Sequence, residues 1–563
     1  MKRENVLQES VLLSHGEVFQ QFELIALKSG INNLGGSRSV PVTLSSSPKF
    51  CPWELGFVLS FGLPLTRPKA NLKSVPGRRL HAQDPSVSSL YPNSVMIFAP
   101  PSLPSCFRRR TTALVLLAAT AAVSLSAQES EIPLHGLQPA TTLPAWMNHG
   151  VIYEVNVRQY SEAGTFDAVT ADLDRLAELG VTTLWFMPIH PIGEVNRKGP
   201  LGSYYAISDY QAVNPEFGTA EDFAELVEAA HAREMRVILD WVGNHTAWDN
   251  PLTETHPEFF AKDCNGELMP PTGTDWTDVI QLDFEAPGLL EYKIGVLNYW
   301  IEEFGVDGYR CDFATGVPTP FWEKLTGAVL DKHPETFFLA EAEVADQQLE
   351  AFHANYGWTM LSTFQEVAQG KASANAIDNV LARMSIEFPQ GARFLYFTTN
   401  HDENSWQGTV QQRFGGAANV FSVLSFTLDG IPLLYNGQEA GMDKRLEFFE
   451  RDPIDWRPHP NFAFFETLID LKKAAPALAV GAPFRRLAST EDDVVYAFQR
   501  GEGADALLVL TNLQAHDSRF ALAIGADNAG VWEDIFTHER LTLNALTPME
   551  LESWGFRILQ RAD

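Results

Sequence analysis

Four acidic residues stand at or just past the ends of predicted strands: Asp240 in RVILDWV, Asp312 closing GVDGYRCD, Glu341 in TFFLAEAE and Asp402 after RFLYFTT. Arg310 lies two residues before Asp312, and the period of two in a strand turns both to one face. A guanidinium placed there holds the carboxylate ionised and aimed. On its own this segment reads as a buried Arg–Asp ion pair; the three other acids are what make it a candidate for chemistry. Two carboxyl groups roughly 5 Å apart, one an ionised nucleophile and one a protonated acid, cleave a glycosidic bond with retention of configuration. The surroundings divide those roles. Asp312, beside Arg310, is biased towards the ionised form, and Glu341, on a strand of Phe337, Phe338 and Leu339, lies where desolvation raises the pKa. Glu343 shares a strand face with Glu341, and periodicity alone does not separate the two.

Bringing four acids together requires strands whose ends converge. From Val151 onward, short apolar runs alternate with helical patterns. The strands are VIYEVNV, TTLWFMPI, RVILDWV, GVDGYRCD, TFFLAEAE, residues 358–361 (WTML), RFLYFTT and IPLLYNG. Helices are predicted over 166–179, 220–233, 289–304, 320–332, 346–354, 418–427 and 462–474, with a further helical stretch after the sixth strand. Eight strand–helix pairs in this order predict an α/β fold, a (β/α)8 TIM barrel, whose active sites lie at the carboxyl ends of the strands. Residues 245–283, rich in Asp, Pro, Gly and Trp, are too long for a simple connection and predict a short inserted subdomain after strand 3. The catalytic barrel is expected over 128–475. After it, over 476–563, short runs such as DVVYAFQR and ALLVLTN between Gly, Asp and Asn predict a C-terminal all-β domain.

The 563-residue chain is 45% hydrophobic and 20% charged, as a globular protein is, and it carries a net charge of −30. Residues 1–127 hold 13 Lys and Arg against 6 Asp and Glu, which leaves 28 against 65, or −37, for the rest. Such an acidic body disfavours nucleic acid and anionic membranes as partners. The four cysteines, Cys51, Cys106, Cys264 and Cys311, include no C-x-x-C pair, so neither a disulfide framework nor a zinc signature is present. Residues 1–95 show no sustained periodicity and read as a non-native or disordered extension. Met96, the arginines at 108–110, the apolar stretch 113–123 and the small residues 124–127 have the layout of a signal peptide spanning 96–127. That layout predicts a start at Met96, a mature chain from near Gln128, a secreted or periplasmic protein and no stable membrane insertion after cleavage.

The stretches DWVGNH, GYRCD, LAEAE and TTNHDENS resemble, in that order, the signature segments of the α-amylase family of glycoside hydrolases, family 13. The likeness spans about 151–456, with support from YYAISDYQAVNPEFGT and GIPLLYNGQEAG. Each segment alone is weak; their order at successive strand ends makes the set specific. Carried over position by position, the resemblance implies Asp312 as nucleophile, Glu341 rather than Glu343 as general acid/base, and Asp402 as the third acid, gripping sugar hydroxyls. It implies that His245 and His401 donate to the sugar before the scissile bond, that Tyr205 stacks beneath that sugar and that Arg310 is the guanidinium partner. Asp240 and Asn244 are implied to be structural at the site, with Asp240 bonding Arg310. Trp241, Trp248 and Trp406 are candidate sugar platforms, or packing.

The chain departs from the family where many members carry Lys-His after the nucleophile: here those positions are Thr315 and Gly316. Asn244 matches a calcium ligand of the family, yet a calcium cage takes six to eight oxygens and cannot be completed from this sequence. No cofactor is required for the chemistry, and calcium is left open. The expected function is hydrolysis of α-1,4-glucosidic bonds in starch-derived malto-oligosaccharides through a covalent glycosyl-enzyme. The alternatives are a transglycosylase or α-glucosidase of the family, or a non-catalytic sugar-binding relative.

Overall fold

The structure is a computed structural model and describes residues 138–562. The expectations for residues 1–127, extension and signal peptide alike, lie outside the described residues. Eight strands, β1 (Ile152–Val155), β2 (Thr183–Phe186), β3 (Arg236–Val242), β4 (Gly308–Asp312), β5 (Phe337–Ala340), β6 (Ala354–Tyr356), β7 (Phe394–Tyr396) and β8 (Ile431–Tyr435), close into a parallel barrel in sequential order. The predicted TIM barrel is the observed fold. The β3–β4 register sets Asp240 opposite Arg310 and Val242 opposite Asp312, and Arg310 pairs across β5 with Leu339. Asp240 and Arg310 therefore share one layer of the barrel interior.

Helices cover the outside where the apolar period demands it. Ala220–His231 begins with a reciprocal Thr219–Asp222 capping box and buries Phe223, Leu226, Val227 and Ala230, one stripe at spacings of three and four. The helix predicted over 166–179 is two helices, Phe166–Thr170 and Leu173–Leu179. The break falls where Asp172 accepts hydrogen bonds from Tyr160 and Arg175, and the second helix ends on left-handed Gly180.

One strand differs from expectation. Residues 358–361 are not the sixth strand; they open the helix Trp358–Ala368, in which Met360, Leu361, Phe364 and Val367 form the buried stripe. The sixth strand is Ala354–Tyr356. It is only three residues long with a buried Asn355 at its centre, so it shows no strand pattern, and it begins at the last residue of the helix predicted over 346–354. The helix there is one turn, Gln347–Glu350.

After β3 the chain forms the expected small insertion, pinned by an antiparallel ribbon of His245–Ala247 with Val279–Gln281. Beyond the last barrel helix, Pro460–Ala474, eight antiparallel strands make the C-terminal sheet. Its core includes Leu508, Leu510, Phe520, Trp532 and Leu559. Buried Arg500 ties it to the barrel through Asp429 at 3.1 Å, as does Tyr496 through Asp378 at 2.8 Å.

Candidate active site

Arg310 is wholly buried at the barrel centre and meets three carboxylates. Its Nη1 donates to Asp240 Oδ1 at 2.8 Å and to Asp312 Oδ1 at 3.2 Å. Its Nη2 lies 2.9 Å from Glu341 Oε2, an ion pair without hydrogen-bond alignment. Nε donates to Tyr356 Oη at 3.2 Å. Removing one partner of such a buried pair leaves an uncompensated charge and costs about 3–5 kcal/mol. Asp240 is thus a buried hydrogen-bond partner of Arg310.

One cation does not neutralise three acids, and the environments differ from those read in the sequence. Burial, reinforced by Glu341, pushes the Asp312 carboxyl well above the usual carboxylate range, with Arg310 opposing. Burial likewise lifts Asp240 to about 6 against the pull of Arg310. The ionised bias expected for Asp312 is therefore not what the free site provides. Glu341, expected in a desolvating apolar pocket, instead accepts the Phe313 N–H at 2.8 Å on Oε2 and faces Arg310. The strand to which it belongs is apolar, but Glu341 lies one residue past its end. Asp240 and Asp312 are thus both pushed towards the protonated form in the free site. Asp312 Oδ2 has no hydrogen-bond partner within the protein.

The two histidines are held in opposite states. His401 places Nδ1 on Glu154 Oε1 and Nε2 2.8 Å from Tyr205 Oη. Because the single Tyr205 proton goes to Asp240 Oδ2 at 3.2 Å, Tyr205 accepts from His401, and both ring nitrogens carry hydrogen. Burial opposes that charge, but Asp402 and Glu154 prevail and raise the imidazole to about 9. His245 is also buried, receives Asn244 Nδ2 on Nδ1 at 3.2 Å, and is lowered to about 3 by burial and the nearby Lys293.

A cavity of about 570 Å³ opens over these groups and brings Tyr205, His245, Asp312, Glu341 and Asp402 to one surface. Asp402 accepts the Trp406 indole N–H at 3.1 Å, and Trp406, 49% exposed, lines the cavity. Trp241 is a core residue, and Trp248 donates to Thr277 O beside the insertion; neither lines the cavity. Glu343 is turned away, accepting from the Thr359 amide and hydroxyl and from Arg383.

Sequence reasoning missed Glu154, although an acid inside an apolar strand was the same signal that exposed the others. It also missed Phe448 and Phe449, after β8, and Trp276, in the insertion. Tyr205 stacks on Phe448 (6.4 Å, 12°) and Trp406 packs on Phe448 at 5.2 Å. Opposite them Trp276 meets Phe313 edge-on at 4.9 Å, and Phe313 is held at φ +41°, a costly backbone state for a non-glycine residue.

The residues around Asn244 do not fit the calcium site that the resemblance left open. Asn244 Oδ1 and O and Leu282 O all converge on one amide nitrogen, Gln281 Nε2, at 3.0–3.1 Å. A side-chain donor already takes the oxygens that a cation would need. A Cβ at Gly316 would lie 2.7 Å from Asn244 Oδ1, so the chain passes close on the other side. Among the described residues, no group of three or more His, Cys, Asp and Glu could hold a metal ion.

A parallel eight-stranded barrel with convergent acids at its carboxyl rim and an all-β appendage defines a class of carbohydrate-active fold. The sequence matches the family profile for the α-amylase catalytic domain over residues 143–263 and 274–464, and that for the α-amylase C-terminal all-beta domain over 488–545. The chain belongs to the α-amylase family. It is 30% identical over 402 residues to Alpha-amylase MalA of Haloarcula japonica, covering 68% of this chain and 58% of that protein. It is 32% identical over 336 residues to an Alpha-1,4-glucan:maltose-1-phosphate maltosyltransferase of Cereibacter sphaeroides, covering 55% of this chain and 54% of that one. This chain thus spans little more than half the length of either relative. The crystal structure of an alpha-amylase from Lactobacillus plantarum superposes with a TM-score of 0.67 at 33% identity, covering 74% of this chain and all of that one.

Proposed function

We propose that this protein is a retaining α-glucan hydrolase that cleaves α-1,4-glucosidic bonds of starch-derived malto-oligosaccharides. One observation carries the reading: Asp312 and Glu341, from adjacent strand ends, face a single guanidinium and open into the same cavity. Carboxyls tied to one guanidinium are close together, as a double displacement requires. In the first step an Asp312 oxygen bonds to the anomeric carbon as the glycosidic C–O bond breaks, and the leaving oxygen takes the proton of Glu341. In the second, Glu341 takes a proton from water, the water oxygen bonds to the same carbon, and Asp312 leaves. The reaction requires a proton on Glu341 and an ionised Asp312 against Arg310. Asp402 grips hydroxyls of the sugar stacked on Tyr205; the buried His401 imidazolium, with both N–H groups engaged by Glu154 and Tyr205, holds that tyrosine in place, and His245 donates from the other side.

The full chain incubated with maltoheptaose and followed by proton NMR tests this. Products appear first as α-anomers; β-anomers first, or no cleavage, overturn the reading. Transfer to a sugar acceptor is the second reading, favoured by the Trp276–Phe313 pair as an acceptor platform and by the likeness to a maltosyltransferase. Products longer than the substrate at early times mark it. The compact insertion favours short maltodextrins over granular starch. The segment at 96–127 supports action outside the cytoplasm, which N-terminal sequencing of protein recovered from periplasm or medium checks.

A further inference from the structure

The loop between β2 and the helix Ala220–His231 runs along one side of the cavity before it reaches Tyr205, and both of its flanks are fastened. On the insertion side, the Glu194 and Val195 amides donate to Asp249 Oδ2 at 2.7 and 3.3 Å. Lys198 Nζ donates to Asp275 O at 2.9 Å and pairs with Asp278 Oδ1 at 3.2 Å. On the β8 side, the Leu201 amide donates to Phe449 O at 3.0 Å. Gly199, at φ +65°, lies so close to Phe449 that a Cβ there would come within 2.4 Å of that side chain. Among the described residues, the hydrogen bonds and ion pairs of 192–203 reach the insertion, the β8 loop and the segment after β1. None reaches the segments after β4 or β5 that carry Phe313 and Glu341.

The cleft is therefore asymmetric. The leaving-group side is the side of Glu341, the proton donor, with Phe313 beyond it; Trp276, between the latch residues Asp275 and Asp278, stands where that side meets the insertion. The other side holds Tyr205, Phe448 and Phe449, and there the loop joins the two flanking segments like a strap. We infer that this strap closes the glycone end of the cleft, with the Lys198–Asp278 bridge as its latch, so that the protein accepts only a short stretch of chain before the cut and acts from the non-reducing ends of malto-oligosaccharides. Lys198 and Asp278 both line the cavity. Asp278 is only 5% exposed at its side chain, and a carboxylate so enclosed holds its counter-charge in place. The inference rests on the α-glucan reading above and adds to it the direction of attack.

The test compares p-nitrophenyl maltoheptaoside with the same compound blocked at its non-reducing end by a 4,6-O-ethylidene group, resolving first products by chromatography. The wild-type full chain cleaves the free-ended substrate about tenfold or more faster than the blocked one, releasing short sugars from the free end. Lys198→Ala brings the ratio towards one, and Lys198→Arg keeps it. Equal wild-type rates on the two substrates overturn the strap while leaving the hydrolase reading intact. So does an unchanged ratio in a Lys198→Ala protein whose circular dichroism and melting temperature match wild type. Cleavage of neither substrate overturns the function reading and the strap with it.

Discussion

The floor of the cleft is made of strand ends and is charged and buried; its walls are made of loops and are aromatic and partly exposed. On the floor, Arg310, Asp240, Asp312, Glu341, Glu154 and His401 answer one another through short contacts inside the barrel, so each side chain has one available position. In the walls, Trp406, Phe448, Phe449 and Trp276 hold their places by ring packing. The difference separates two tasks. Groups that change bonds need fixed geometry and matched charge. Groups that hold a flexible sugar need area, and can be altered with smaller consequences.

The sharpest way to break that distinction is at the floor. Asp312→Asn removes the oxygen proposed to form the covalent bond while keeping the size of the side chain. The expected loss in kcat on maltoheptaose is about 10⁴-fold or more, with KM within a few-fold. A residual rate within tenfold of wild type would mean that another group is the nucleophile. Tight maltoheptaose binding with no turnover in the wild type would instead favour a sugar-binding protein.

A smaller effect is expected one contact further out. His401, at about 9 against an ordinary 6.5, is a raised histidine. Its contribution to stability is complete below about 6.5 and is lost as pH rises through about 9. His245, lowered to about 3, has the opposite sign: its contribution is complete above about 6.5 and drains away as pH falls towards about 3. In Glu154→Gln one of the two carboxylates supporting the His401 charge is gone. The alkaline limb of kcat/KM should move to lower pH while the acid limb stays, with His401 ring shifts in NMR following the same displacement. A uniform drop at all pH values with no movement of the limb would reduce Glu154 to a packing residue.

At the wall, Trp406→Ala should raise KM by a few-fold to about tenfold, the share of one aromatic contact of about 0.5–1.5 kcal/mol. Trp406→Phe separates its two functions. If the ring matters most, Phe restores KM; if the indole N–H on Asp402 matters most, Phe behaves like Ala and kcat falls as well.

The same division governs what could be read before the structure. Floor residues are acids, histidines and one arginine set in apolar strands, a local anomaly that a sequence displays; Asp240, Arg310, Asp312 and Glu341 were all found that way. Glu154 was equally visible in VIYEVNV and was passed over because its partner, His401, is 247 residues away. Wall residues carry no such mark. Phe448 and Phe449 lie in a loop with no period, and a phenylalanine there is indistinguishable from packing until its neighbours are known. Charge balance was the least legible property. Arg310 beside Asp312 suggested an ionised carboxylate, but the guanidinium is divided among three acids, and burial outweighs it. The sixth strand failed for a local reason: its three residues are held by barrel closure, whereas WTML has a helical stripe of its own.

The smallest expected effect lies where the resemblance and the chain part company. In a calcium-binding arrangement Asn244 would turn its side-chain oxygen to the ion, and chelation would lower stability by mass action. Here Gln281 Nε2 stands among Asn244 Oδ1, Asn244 O and Leu282 O and ties the base of the insertion to β3 without a cation. The melting temperature of the full chain should therefore be the same in excess EDTA as in millimolar calcium, and Gln281→Ala should lower it in both. A drop on chelation that calcium reverses, greater in wild type than in Asn244→Ala, would put an ion at this position and show that the amide moves aside to admit it. A drop equal in both proteins would place the ion elsewhere and leave the Gln281 bridge as described.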